Sequence, residues 1–315
     1  MTTDLTGLKI LYDDERRGAL SAIARLRALG PAARVSGERD SIERVSLDCV
    51  EAVLHLKGLE PEAVRCFLSG AVTMSSLGID VEASVLLDVS GTESQAVSLQ
   101  LGQQLGVDDW VPPALESDRF RSDAGRALEY IRGLCPEAAQ VTVGNSGLIL
   151  PYQCPPPVSG SSSALQLPGV LLLPAGVPAL ILAEYWLHEC LHNELYLAEW
   201  CEGAAPATAE ATSDTPWREM RRPASMLLHG AFVFSCIAAF MRRHRNEYQA
   251  TCGDWHLSAT PARRIPYSSI DTAITMRVTQ VEEALRTLRS SSVLSVFGCR
   301  VADACHRIIR ASSAW

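Results

Sequence analysis

Apolar residues recur at three- and four-residue spacing along most of this sequence, and that spacing predicts amphipathic helices. In the N-terminal part the predicted helices span residues 16–29, 40–56 and 61–74, with Gly and Pro between them. Further segments with the same period predict helices at residues 95–105, 119–134, 179–201, 224–243, 268–289 and 292–312. The pattern therefore indicates a mainly α-helical protein.

The period changes in the middle of the chain, where short apolar runs predict strands. These runs lie at residues 81–89, 140–143, 148–152 and 169–173. The sequence Gly144-Asn145-Ser146-Gly147 predicts a tight turn that joins the second run to the third. Pro, Gly and Ser dominate residues 154–163, which predicts a flexible loop, and residues 202–215 predict an exposed loop.

Together these elements predict an α+β fold that is mainly α-helical. We expect a helical N-terminal part, a small antiparallel sheet packed beside the helix at 179–201, and a helical C-terminal part. Residues 1–136 are expected to form a helical N-terminal region and residues 137–315 a catalytic region that binds metal. The two regions are also compatible with one continuous domain.

Composition restricts the class of protein. With 47% hydrophobic and 20% charged residues the chain is typical of a globular protein, and a net charge of −8 argues against a nucleic-acid partner. The ten cysteines form no CxxC pair and the N-terminus has no secretory signal pattern, so we expect a cytoplasmic protein with reduced thiols. The apolar stretch 170–187 is interrupted by Pro and Gly, and the stretch 230–241 is too short to span, so no membrane helix is predicted.

The segment at 188–192 contains an HExxH motif: His188, Glu189 and His192 lie on the predicted helix 179–201. Residues four apart share one face of a helix, so both imidazoles can bind the same metal ion. Glu189 lies one position round the helix, beside the side of the metal that remains open. The motif therefore predicts a metal site.

A third protein ligand is needed, and the sequence leaves several candidates. An HExxHxxGxxH pattern is excluded because Leu195 and Ala198 occupy the required positions. Glu210 has the spacing of a gluzincin-like ligand but non-helical surroundings. His229 lies on an apolar helix, where a buried imidazole needs a partner, and it ranks first. Ligation by Glu189 ranks lower because adjacent side chains on a helix point about 100° apart. Three more glutamates lie too close along the HExxH helix and are predicted to be solvated: Glu194, Glu199 and Glu202.

These motifs together resemble a known family. The sequence HECLH at 188–192 follows Ala183-Glu184, and it precedes Pro216-Trp217-Arg218, Arg222-Pro223 and Leu228-His229-Gly230. In that order they resemble the 2-oxoglutarate/HExxH-type peptide β-hydroxylases, HExxH-motif proteins that are encoded beside ribosomally made peptide natural products. The resemblance covers about residues 140–245; the remaining helices match only in general character.

The resemblance implies an iron(II)- and 2-oxoglutarate-dependent oxygenase that acts on a precursor peptide. His188, His192 and His229 would bind the iron. Arg222 or Arg218 would hold the distal carboxylate of 2-oxoglutarate, since a guanidinium fork matches a carboxylate. Arg222 is favoured because Pro223 fixes the backbone beside it, although each arginine is equally compatible with an ion pair to Asp214 or Glu219. Glu189 would orient a ligand or a water molecule.

Two other functions remain open at this point. The same motif fits a zinc metallopeptidase in which Glu189 is the general base. It also fits a non-catalytic, peptide-binding protein with a structural metal. The expected partner is a peptide, without nucleic acid or membrane, and self-association into a homo-oligomer stays open. The remaining candidates are predicted to have ordinary roles: His55, His244, His256 and His306 without metal partners, Cys190 in packing, and Asn145, Ser146 and the serines of 158–163 in flexible loops.

Overall fold

The computed structural model describes residues 71–73, 85–87, 117–146, 148–152, 160–164, 167–202, 212–251 and 269–311. These residues are mostly helical, with a small sheet, and they divide into two compact units. The sheet unit contains the described residues up to Leu128 and those of 140–193; the C-terminal unit contains 129–139 and those from Glu194 onward. The helices predicted at 16–29, 40–56 and 95–105 lie outside the described residues. The regions 1–136 and 137–315 stay a prediction.

The sheet unit contains five strands, in the spatial order β1-β2-β3-β5-β4. They are β1 (Ala71–Thr73), β2 (Val85–Leu87), β3 (Leu148–Tyr152), β4 (Ser162–Ala164) and β5 (Leu167–Pro174). Strands β2, β3 and β5 are parallel, whereas β1 and β4 pair antiparallel at the two edges. The strands predicted at 81–89, 148–152 and 169–173 are confirmed in part or whole, but the C-terminal end of the helix predicted at 61–74 is wrong, because β1 lies there.

The sheet is mixed, so the prediction of an antiparallel sheet is wrong. Parallel strands are covered on both faces and have continuous apolar sequences, whereas a half-exposed antiparallel strand alternates. Consecutive residues of β3, Ile149 and Leu150, are both fully buried, and residues 170–172 of β5 are buried in the same way. The uninterrupted apolar character of these runs therefore reflects a central parallel position.

Two helices connect β2 to β3: α1 (Ser117–Leu134) and α2 (Pro136–Gly144). The prediction of α1 is confirmed, but the strand predicted at 140–143 is wrong because these residues lie in α2. Pro136 occupies the first helical position, and the Cys135 thiol accepts the Ala138 N–H at 3.3 Å, which caps the helix. This start signal prevails over the β-branched residues Val141 and Thr142 further along the helix.

Helix α3 (Ala179–Glu202) carries the HExxH motif and confirms the helix predicted at 179–201. A short turn at 175–178 leads into it from β5, and Gly176 adopts a φ of 78° there, which favours glycine. The side chains of Trp186, Leu187 and Leu191 are fully buried. Packing of this apolar face holds the helix against the rest of the protein.

The C-terminal unit is built around α4 (Ala224–Arg243), which packs against α6 (Ile270–Ser290) and α7 (Val296–Ala311). All three confirm predicted helices to within a few residues; the short α5 (Arg245–Thr251) was not predicted. The start of α6 is capped, since the Ser269 hydroxyl accepts the Thr272 N–H at 3.2 Å.

Among the described residues, α4 is the one helix long and apolar enough to cross a membrane. Its most apolar stretch is 89% buried inside the protein, as expected of a core helix. The neighbouring helices α6 and α7 cover it.

A β-hairpin precedes α4 and is made of β6 (Thr212–Thr215) and β7 (Arg218–Pro223). Residues 212–215 were predicted to lie in an exposed loop, and that prediction is wrong; residues 203–211 lie outside the described residues. Trp217 in the hairpin turn is buried and packs on Gly230 of α4. A Cβ atom at Gly230 would lie 2.1 Å from Cζ2 of this indole, so only glycine fits.

We expect Gly230→Ala to lower the free energy of unfolding by about 1–3 kcal/mol, because the added methyl group forces the Trp217 ring to move. Chemical denaturation of the two proteins would measure the difference. Gly125→Ala is a matched control: Gly125 also lies within a helix, but its added Cβ would meet nothing within 4 Å. That variant is expected to gain about 0.5–1 kcal/mol, so equal effects at the two glycines would contradict the contact.

His244 follows α4 and is 6% exposed. Its ring lies against Tyr130 and Phe240, with centroid distances of 5.3 and 4.7 Å, and Nε2 lies 2.8 Å from the Tyr130 carbonyl oxygen. Burial lowers the pKa of His244, and the Tyr130 carbonyl and the nearby Glu247 carboxylate raise it by less. The charge of Arg243 lowers the pKa further.

The lowered pKa of His244 predicts a loss of stability in mild acid. As the pH falls, His244 takes up its proton in the unfolded chain before it does so in the folded protein. The stability that neutral His244 contributes to the folded protein is therefore present above the unfolded pKa of about 6.5 and is lost below it. Urea unfolding of the wild type and of His244→Gln at about pH 7.5 and about pH 5.5 would test this. The variant should lose less stability between the two pH values; an equal loss would contradict the prediction.

Candidate metal centre

His188 and His192 of α3 lie on one helical face, as the HExxH spacing predicts. Their ring centroids are 4.9 Å apart and both side chains are partly exposed. Two imidazoles in this arrangement fit two neighbouring positions on one metal ion. The sheet unit thus brings together two of the three predicted ligands.

Glu189, between them in sequence, points into a buried environment and is 4% exposed. The Ser161 hydroxyl donates to its Oε1 and the Ser163 hydroxyl donates to its Oε2, each at 2.6 Å. Burial raises the pKa of the Glu189 carboxyl, and the two serine hydrogen bonds partly lower it again. Both carboxylate oxygens therefore have protein donors. The Ser-rich sequence predicts a flexible loop for these serines, and it contains no local signal of the pairing with Glu189.

A buried polar cluster holds the side of α3 that lies opposite His188 and His192. The Trp186 indole N–H donates to the Ser146 hydroxyl at 2.7 Å, and that hydroxyl lies 3.3 Å from the Cys190 sulfur. Cys190 also contacts the Thr142 carbonyl oxygen at 3.3 Å, so its predicted packing role is confirmed. The flexible loop predicted for Asn145 and Ser146 is wrong, because both residues are buried at the end of α2.

His229 lies on α4 in the C-terminal unit and is 1% exposed. Its Nε2 lies 3.0 Å from Oε2 of Glu199, and its ring centroid lies 4.4 Å from that of Tyr196. A carboxylate accepts hydrogen bonds, so the imidazole donates through Nε2–H. Glu199 is therefore paired and largely buried, and its predicted solvation is wrong. The same prediction is wrong for Glu194, which is 8% exposed.

The predicted arginines lie on β7, directly before α4. Arg222 is partly buried and its Nε atom is fully buried, whereas Arg221 is exposed and lies 3.9 Å from the Asp214 carboxylate. The ion pair to Asp214 considered for Arg218 or Arg222 thus forms at Arg221. The structure does not describe the side chains of Arg218 and Glu219, and residue Glu210 lies outside the described residues.

Within the described part of the chain, no group of three His, Cys, Asp or Glu side chains that could hold a metal ion is found. His188 and His192 belong to the sheet unit and His229 to the C-terminal unit, so the three-histidine site stays a prediction. If His229 binds a metal, it does so through Nδ1, because Nε2 is engaged with Glu199.

No known protein-family model matches this chain, and no curated protein is significantly similar to it.

Proposed function

We propose that this chain is an iron(II)- and 2-oxoglutarate-dependent oxygenase that β-hydroxylates a residue of a ribosomally made precursor peptide. His188, His192 and His229 would be the iron ligands. When bound, iron and 2-oxoglutarate would supply the oxidative chemistry together with dioxygen: one oxygen atom of dioxygen would enter succinate as the keto-acid loses carbon dioxide, and the other would become the hydroxyl group at a peptide Cβ. The order of motifs from HECLH to Leu228-His229-Gly230 supports this proposal.

The environment of Glu189 is the structural observation that supports a positioning role for this residue, as expected in the proposed oxygenase. A peptidase base has to take a proton from metal-bound water, so one carboxylate oxygen must face the metal. In Glu189 both oxygens accept serine hydroxyls at 2.6 Å, and the side chain is buried. This arrangement suits a residue that holds the helix and its histidines in place.

Arg222 is the residue we propose for the distal carboxylate of 2-oxoglutarate. A half-buried guanidinium is less screened by water than an exposed one, which strengthens a charge-assisted hydrogen bond to a carboxylate. Pro223 follows directly and restricts the backbone of Arg222 to an extended conformation, as its place in β7 requires.

We expect Arg222→Gln to raise the KM for 2-oxoglutarate about 10- to 100-fold, as loss of a charged hydrogen bond implies. The matched control is Arg221→Gln, which removes the neighbouring exposed guanidinium and should leave the KM unchanged. Succinate formation over a range of 2-oxoglutarate concentrations would measure both. Equal effects of the two substitutions would contradict the assignment of Arg222.

The function itself is tested by incubating the protein with iron(II), 2-oxoglutarate and a candidate precursor peptide. Mass spectrometry should show the gain of one oxygen atom in the peptide, with succinate formed in step. Peptide cleavage with zinc would instead identify a metallopeptidase. Tightly held metal without any turnover of peptide or keto-acid would identify a non-catalytic, peptide-binding protein.

A further inference from the structure

The two serines that bind Glu189 come from one short segment of chain. Ser161 and Ser163 are two residues apart, and side chains at i and i+2 of an extended chain lie on the same side. Each donates to a different oxygen of the carboxylate. The carboxylate is therefore held at two points, which restricts its rotation far more than a single hydrogen bond does.

This segment is itself anchored to the sheet. Ser162 and Ser163 of β4 pair with Leu172 and Leu171 of β5. Just before the strand, the Tyr152 hydroxyl donates to the Gly160 carbonyl oxygen. The serine hydroxyls therefore project from a backbone whose position the sheet fixes.

Glu189 is adjacent to His188 in helix α3, and His192 follows one turn further along. Any rotation of α3 about its axis moves Glu189 and both HExxH imidazoles together, because residues of one helix keep fixed angular offsets. Charge-assisted hydrogen bonds are about twice as strong as neutral ones, so the serines oppose such a rotation.

We propose that Ser161 and Ser163 are positioning residues of the metal centre: they hold Glu189, and through it they set the orientation of His188 and His192. The proposal rests on the proposed function in so far as these histidines bind a metal. It assigns the Ser-rich segment before β5 a role in metal binding through helix α3.

The test compares Ser161→Ala, Ser163→Ala and the double variant with the wild type. Ser162→Ala is the control, since Ser162 lies between the two serines in an extended segment, where successive side chains alternate between the two sides. Ser161→Thr and Ser163→Thr keep the hydroxyl group and should rescue. Cobalt(II), added to metal-free protein, is the probe, because its visible absorption reports the ligand geometry.

We expect each alanine variant to weaken cobalt(II) binding about 10-fold, and the double variant about 100-fold, with an altered absorption band. The metal-free variants should also show shifted NMR signals of the His188 and His192 rings, while Ser162→Ala resembles the wild type. A merely structural role would lower the melting temperature and leave the absorption band and the ring signals unchanged.

Two outcomes separate the inference from the function. If the wild type binds no cobalt(II), the metal-dependent function is overturned, and the ring signals of the metal-free variants still decide the positioning role. If the wild type binds cobalt(II) and both serine variants match it in affinity, absorption and ring signals, the positioning role is overturned while the function stands.

Discussion

His192→Ala is expected to abolish metal binding and succinate formation together. A metal ligand contributes several kcal/mol to the reaction, so we expect activity to fall about 1,000-fold or more. His188→Ala should behave in the same way, because the two rings share one face of α3 at a centroid distance of 4.9 Å. Metal analysis of the purified proteins and a succinate assay would measure both effects.

The control for this experiment is His306→Ala. His306 is a partly exposed histidine on α7, and its removal lowers the number of imidazoles without changing the HExxH motif. The His306→Ala variant should retain full metal content and activity. Undiminished metal content in His192→Ala would show that the HExxH pair is not a metal site, whatever activity the variant retains.

The second large effect is expected at Glu199. Glu199→Leu removes the acceptor of the buried His229 N–H. Loss of a hydrogen bond to a charged group lowers the free energy of unfolding by about 1.5–3 kcal/mol. Chemical denaturation should show that loss, whereas Glu199→Gln keeps an acceptor and should lose much less. If His229 is also a metal ligand, Glu199→Leu should weaken metal binding about 10- to 100-fold.

Glu129→Gln provides the matched control for Glu199. Glu129 pairs with Arg132 one turn along α1, but both side chains are exposed. Exposed pairs of this kind contribute about 0–1 kcal/mol, so little change is expected. If Glu199→Leu proved as mild as Glu129→Gln, the buried pair would not hold His229. A loss of stability with unchanged metal affinity would remove His229 from the set of ligands.

Local signals in the sequence predicted five of the seven helices in the described residues, and missed α2 and α5. Helix α3 and helix α4 were predicted to within a residue, because their apolar content is high and they contain no proline. The strand predicted at 140–143 failed for a local reason as well: Pro136 and the capping thiol of Cys135 start a helix there. These start signals outweigh the strand preference of β-branched residues.

Pairings between distant segments were not predictable in the same way. The continuous apolar runs at 148–152 and 169–173 are typical of buried parallel strands, but they do not show which strands pair with each other. The β6–β7 hairpin was missed because both strands are polar and β7 is rich in arginine, so neither shows the alternation of a half-buried sheet.

In the candidate site, too, the sequence predicts the residues of one helix but not their partners from distant segments. His188, Glu189 and His192 follow from spacing within one helix, and their arrangement needs no tertiary information. The partners of Glu189 and His229 depend on contacts between segments: Ser163 is 26 residues from Glu189, and Glu199 is 30 residues from His229. A serine in a Ser-rich loop or a glutamate on a long helix gives no local sign of such a partner.

Strand β4, whose Ser163 binds Glu189, is also an edge strand of the sheet. β4 is three residues long, carries hydroxyl side chains and shifts register between Ser163 and Ala164. Short length, polar side chains and irregular pairing are features by which natural proteins prevent an edge strand from pairing with a strand of another molecule. Apolar replacements at Ser161 and Ser163 would therefore release the carboxylate and, in addition, increase the tendency of the protein to aggregate.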